Sequence, residues 1–243
     1  GRISVTGSLM KVYEGAGVIA AKTGAKILPL RIDGAQYSKF SYIGNIVKTQ
    51  MFPKIKMFVL PSCDLKVADS LSMREKRHAA SLKLYDLMAA MMYRTTDKNM
   101  PLFNALLQAE RLFGVKHKIA LDMQKKTLDY GQFVLKSYVL GAAYKKLFSD
   151  EEKVGVLLPN SLANAVSFFA LQYAAKIPVM LNFSLGTAQF ESCLKTTKLR
   201  KVVSSRKFIE AGKLERFAES VKNAGAEIIY LEDFAEQISW TTK

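Results

Sequence analysis

The chain has 243 residues, 49% of them hydrophobic, and carries 36 Lys and Arg against 21 Asp and Glu, a formal net charge of +15. That much apolar side chain excludes a disordered polymer and is enough for one large core or two small ones. No apolar run approaches the roughly 20 residues that span a bilayer, nothing reads as a signal peptide, and two cysteines and two histidines exclude a disulfide framework and a His-rich metal site. Cys63 and Cys193 instead suit packed thiols in a reducing compartment. The positive balance is densest in the first hundred residues. It favours an anionic partner, whether a membrane surface, an acidic protein or nucleic acid; plain solubility from scattered lysines is the other reading.

In chain order, "GRISVTGSLMKVYEGAG" runs from a polar turn into a helix over 8–23, capped by Thr6 or Ser8 and stopped at Gly24. "AKILPLRIDG" reads as a buried strand carrying Ile27, Leu28, Leu30 and Ile32. Pro29 cannot donate to a sheet ladder, so this strand lies at an edge or is bulged there. "KIKMFVLP" is a second strand, ending at Pro61. Ser72 with Glu75 three residues on forms a capping box for a long helix, whose apolar stripe is Leu84, Leu87, Met88 and Met91. The polar, aperiodic "RTTDKNMP", residues 94–101, is the linker candidate.

Beyond it the texture changes. Leu102 to Phe113 is helical in pattern, and "HKIALDMQKKTLDYGQ" reads as a short hairpin leading to a helix from about Tyr130. "VGVLLP", "IPVMLN", "KVVSS" and "AEIIYLED" are strands. They alternate with helices from Asn160 or Ser161 to about Lys176, Thr187 to Lys198 and Gly212 to Asn223. Alternation at this spacing predicts crossover units and a parallel sheet covered on both faces, an α/β fold.

Gly1-Arg2, the helix carrying Gly7 and Gly15-Ala16, and the Pro-centred "ILPLRI" resemble blocks of the glycerolipid acyltransferase family. Tyr13 and Glu14 stand where that family usually has basic residues. The stretches "PLFNALLQAE", "TLDYGQFVLKSYVLGAAY", "KVGVLLPN", "IPVMLN" and "KVVSSRKFI" resemble the N-terminal part of adenylate-forming acyl-activating synthetases. The resemblances imply the end of an acyltransferase α/β domain over 1–95, a linker over 96–101, and the N-terminal parallel-sheet part of an AMP-binding synthetase domain over 102–243. The two in this order resemble bacterial bifunctional enzymes of phospholipid metabolism. Such enzymes activate a fatty acid with ATP and Mg, load it onto acyl-carrier protein and transfer it to a lysophospholipid.

The implied partners are therefore lysophospholipid and a membrane surface, acyl-carrier protein and fatty acid, without nucleic acid. The implied location is the cytoplasmic face of the bacterial inner membrane. A non-catalytic basic adapter or scaffold and a nucleic-acid-binding protein are the alternatives. No RNA-recognition, zinc or helix-turn-helix signature supports the last of these.

Gly1 and Arg2 are the candidates for the substrate phosphate. A guanidinium presents a planar fork to phosphate oxygens, glycine lets backbone approach, and Ser4, Thr6 and Ser8 are lesser donors. The family's His and Asp, with four residues between them, are expected upstream of Gly1, and the synthetase's Gly-rich phosphate loop downstream of Lys243. "HKIALD" places His117 and Asp122 at that same spacing, but it follows the Pro-centred block, and in an extended chain residues five apart point to opposite faces. It is rejected as a catalytic pair. Across "KFSYIGNIVKTQMFPKIK", apolar residues including Phe52 interleave with Lys48, Lys54 and Lys56, a pattern for docking on a membrane surface. It equally fits core residues among solvated lysines. The purified 243-residue chain is expected neither to transfer acyl groups nor to bind cofactors and form AMP from ATP with fatty acid; turnover in either assay would contradict this.

Overall fold

A computed structural model describes residues 9, 14–68, 70–123, 125–184 and 186–234. Gly1, Arg2, Ser4, Thr6 and Ser8 lie outside the described residues, as does the chain's end beyond 234. Two compact units divide the chain, Gly1–Met100 and Pro101–Lys243.

In the first unit, helix α1 spans Glu14–Thr23 and stops where Gly24 turns to φ +66°, a left-handed conformation glycine adopts without strain. Ser72 caps the long helix α2, Met73–Thr95, and the capping box with Glu75 is fully formed. The stripe predicted on α2 faces inward, with Met91 wholly buried and Leu84, Leu87 and Met88 half-buried. Helices α1 and α2 cross at two small residues: a Cβ on Gly17 would stand 3.0 Å from the Ala80 carbonyl oxygen.

Strands β1, Leu30–Asp33, and β2, Lys56–Val59, form an antiparallel pair. Leu30 faces Val59, whereas Ile27 bridges Cys63, so the register slips by one residue around Pro29. The edge position or bulge expected of Pro29 is there: the ladder slips beside it in a ribbon of two strands. The burial expected of this strand is not: Leu28, Leu30 and Ile32 are exposed, together with Met57 and Val59. A two-stranded ribbon has two faces. The one carrying Arg31 and Phe58 is sheltered, with Arg31 donating to Thr95 Oγ1 at 2.6 Å, while the apolar one lies open.

In the second unit, α3 (Leu102–Phe113) is strongly amphipathic and buries Phe103 and Leu106. The hairpin of β3 (Lys118–Leu121) and β4 (Thr127–Asp129) follows, and Asp129 caps α4 (Tyr130–Leu147) through a capping box with Gln132. Then come β5 (Lys153–Val156), α5 (Leu162–Tyr173), β6 (Ile177–Met180), α6 (Thr187–Thr197), β7 (Lys201–Ser204), α7 (Arg206–Gly212), α8 (Glu215–Asn223) and β8 (Glu227–Tyr230). Ser161 is the cap of α5, its Oγ accepting from the Asn164 N–H.

Strands β6-β5-β7-β8 pair in that order, all parallel, so the α/β class and the parallel sheet read from the sequence are the ones observed. Val154, Val156 and Val203 pack against α4 and α5 on one face. Val202 packs with Phe190, Leu194 and Val221 of α6 and α8 on the other. Two boundaries differ from expectation. Gly212 ends a helix instead of starting one: Lys213 turns to φ +51°, the Leu214 N–H bonds back to the Ile209 carbonyl, and Leu214 is buried. The last strand ends at Tyr230, and residues 231–234 are helical.

Helices α4 and α5 meet through Gly141, whose missing side chain is what lets them close. A Cβ there would lie 2.6 Å from Tyr173 Cδ1 and 2.8 Å from the Ala170 carbonyl oxygen. Gly141→Ala is expected to destabilise the chain by about 1–3 kcal/mol, read as a lowered urea midpoint at unchanged slope.

Candidate functional site

In the order β6-β5-β7-β8 the chain leaves β5 in one direction to form β6, then returns past it to form β7. The carboxyl ends of β5 and β7 are therefore a topological switch point, where connecting segments diverge and open a crevice in sheets of this kind. Beyond β5 lie Pro159, Asn160 and Ser161; beyond β7 lie Ser205 and Arg206; beyond β8 lie Glu232 and Asp233.

Polar side chains close the β7–β8 side of this end. Arg206 grips Asp233 with two hydrogen bonds, Nη1 to Oδ1 at 2.6 Å and Nη2 to Oδ2 at 3.0 Å, and its guanidinium sits 4.3 Å from the Tyr230 ring centre. Asp233 is held below the usual carboxylate range chiefly by that hydrogen bonding. Ser205 Oγ donates to Glu232 Oε1 at 2.7 Å while accepting from the Phe208 N–H as the cap of α7. Burial acts to raise the Glu232 carboxyl, but the Ser205 hydroxyl and backbone N–H groups at the start of α7 outweigh it and hold the group low. The buried oxygens Glu232 Oε2 and, at the start of α5, Asn164 Oδ1 accept no hydrogen bond from the described residues.

Two cavities flank the first turn of α5. The larger, about 850 Å³, lies between the β4 end of the hairpin, α4, α5 and residues 231–234. Its walls are apolar, including Leu140, Val166 and Phe234, with Lys126 and Lys136 among the lining residues. The smaller, about 680 Å³, lies between β3, α5 and the end of β6, and is lined by Asn160 and Asn164 among apolar groups. Both are of the size that takes a small organic ligand.

Among the described residues singled out from sequence, Asp122 lines the smaller cavity and His117 lines neither. His117 packs its ring against Phe113 and Tyr130, at 5.4 and 6.0 Å between centres, while Asp122 closes the hairpin turn by accepting from the Lys126 N–H. The strand between them is extended, as expected for the rejected pair. In the first unit Lys48, Phe52, Lys54 and Lys56 are all exposed, while Ile43 and Val47 from the same stretch are buried. Ser205, Arg206, Glu232 and Asp233 were not singled out from the sequence. The signal that marks them is a pair of polar residues within three positions of the carboxyl end of a parallel strand.

No family model matches the chain. Among solved structures, it is similar to a benzoate CoA ligase from Burkholderia xenovorans, at 18% identity and TM-score 0.46 over 54% of this chain and 26% of that one. It is similar to the N-terminal domain of FACL13 from Mycobacterium tuberculosis at 13% identity and TM-score 0.48, over 58% of this chain and 36% of that one. A luciferase-like enzyme from the mealworm Zophobas morio matches at 19% identity and TM-score 0.45, over 56% of this chain and 32% of that one. The chain thus spans about a quarter to a third of the length of these structures.

Ser205→Ala removes both the cap of α7 and the hydroxyl that holds Glu232. It is expected to lower stability by about 1 kcal/mol at neutral pH. Because the folded-state carboxyl is held low, the part owed to Glu232 is present at neutral pH and lost as pH falls through the carboxylate range. The gap between the urea midpoints of the two proteins should therefore narrow in acid to the part owed to the cap.

Proposed function

We propose that the chain is part of a bacterial bifunctional acylglycerophosphoethanolamine acyltransferase/acyl-[acyl-carrier-protein] synthetase, a phospholipid-remodelling enzyme. In this reading residues 1–95 belong to the acyltransferase domain, with Gly1 and Arg2 at the lysophospholipid phosphate, and residues 102–243 begin the synthetase domain. One observation carries it: the segments that resemble acyl-activating synthetases form, in the same order, a helix, a hairpin, a helix and a parallel sheet with a switch point. That end of the sheet opens beside an apolar cavity of about 850 Å³.

The cavity supports an acyl chain as its occupant. Each methylene moved from water into such walls gains about 0.8 kcal/mol, so a long hydrocarbon tail is the ligand that profits most. Lys126 and Lys136 at its lining offer positive charge to a carboxylate. Among the described residues no group of three His, Cys, Asp or Glu side chains could hold a metal ion, and Arg206 is paired with Asp233. The cavity's residues would bind and orient the tail and exclude water from it.

The test is expression of the complete open reading frame that encodes the chain. Hexadecanoate-dependent AMP formation with acyl-carrier protein, and acyl transfer to 2-acylglycerophosphoethanolamine, are the expected activities; AMP formation indifferent to fatty acid would reject the reading. Ala163→Trp, which narrows the cavity from an exposed position on α5, is expected to raise KM for hexadecanoate about tenfold, the equivalent of roughly two lost methylenes, with little effect on octanoate.

A further inference from the structure

We infer that residues 34–56 of the first unit form a docking surface for an anionic lipid bilayer, entering its interface with aromatic rings while lysines meet the headgroups. The segment is a long connection between β1 and β2, yet it is folded. The Lys39 N–H bonds to the Gln50 carbonyl and the Gln50 N–H to the Tyr37 carbonyl, which joins the two limbs of the loop at its middle. At its base Gly34, at φ +96°, admits the returning chain so closely that a Cβ there would overlap the Lys54 carbonyl oxygen at 2.1 Å. Ile43 and Val47 are buried.

Against that fixed frame the outward side chains are the wrong kind for water alone. Phe40, Tyr42 and Phe52 are 85%, 97% and 92% exposed. Ile46, Met51 and Ile55 are exposed as well. Single exposed apolar residues need no explanation, but this density on one ordered loop does.

The charge pattern names the partner. Between Asp33 and Asp64 there is no acidic residue and no arginine, but there are four lysines, Lys39, Lys48, Lys54 and Lys56, all exposed. An acid-free basic loop complements a negative surface. Nucleic-acid and phosphopeptide sites draw on the arginine fork, which is missing from this loop. The three exposed rings also offer a base a stacking platform, but the aliphatic groups among them, Ile46, Met51 and Ile55, do not and gain only from an apolar medium. Rings that dip into the headgroup region, surrounded by lysines whose stems lie along the apolar boundary, match an interfacial anchor. No described helix is long and apolar enough to cross a membrane. The surface stands on exposure and charge alone, so it holds or falls independently of the acyl-handling reading.

Vesicle sedimentation of the purified chain tests it. The protein is expected to sediment with vesicles of mixed phosphatidylglycerol and phosphatidylcholine, far less with phosphatidylcholine alone, and less as salt rises. Lys48→Glu, Lys54→Glu and Lys56→Glu together should lower the partition coefficient at least about a hundredfold, given roughly fivefold per lysine near an anionic surface. Phe40→Ser with Phe52→Ser should lower it at least about tenfold, with the circular-dichroism melt unchanged in both variants. Should a combined variant fail to fold, Phe52→Ser alone at a 92% exposed position serves, with a several-fold loss expected. Failure of the unmodified chain to bind anionic vesicles, undiminished binding by folded variants, or tighter binding to single-stranded RNA than to vesicles at the same salt would each overturn the inference.

Discussion

Strand β5 has to bury both of its faces, and the second unit is arranged around that requirement. Val154 and Val156 look toward α4 and α5, while Gly155 sits on the other face, where a Cβ would meet Val202 at 2.8 Å and Leu199 at 3.0 Å. A parallel strand cannot expose a face to water as an antiparallel edge can, because each crossover lays a helix over the sheet. Helices on both sides follow, and so does the close approach of α4 to α5 through Gly141. Tyr144, wholly buried between them, directs its hydroxyl to Ser167 Oγ, and burial pushes its phenol well above the ordinary range.

The same requirement creates the site. With β5 between β6 and β7, the segments leaving β5 and β7 diverge. The polar groups that gather at that end are there because strand ends are where backbone pairing stops and side chains must satisfy what remains. Arg206 and Asp233, and Ser205 and Glu232, join the exits of β7 and β8 and brace the segment that walls the larger cavity. Glu232 and Asp233 of the brace sit in the chain between Leu231 and Phe234, which line that cavity, so loosening the brace would be felt there.

The first unit follows a different rule. Its ribbon of β1 and β2 shelters Arg31 and Phe58 on one face and leaves Leu30, Ile32, Met57 and Val59 uncovered on the other. Beyond the ribbon, the 34–56 loop keeps Ile43 and Val47 inside and turns its larger rings outward. Alternation along a strand distributes side chains to two faces, but it does not say which face finds a partner.

The sequence by itself determined the features that depend on neighbours within a turn or two. These are the capping box at Ser72, the stop at Gly24, the bulge at Pro29, the hairpin leading into Tyr130 and the run of strands and helices that makes the second unit α/β. Each rests on a local hydrogen bond or a dihedral preference, so a few letters suffice. Only the tertiary structure decided the sheet order, the pairing of Ser205 with Glu232 and Arg206 with Asp233 across some 27 residues, the break between α7 and α8, and the exposure of a strand whose composition reads as core. Those outcomes depend on which distant surface covers which face. Leu214 breaks a helix-compatible run because a buried site accepts its side chain, and Leu30 stays in water because no described element packs over it.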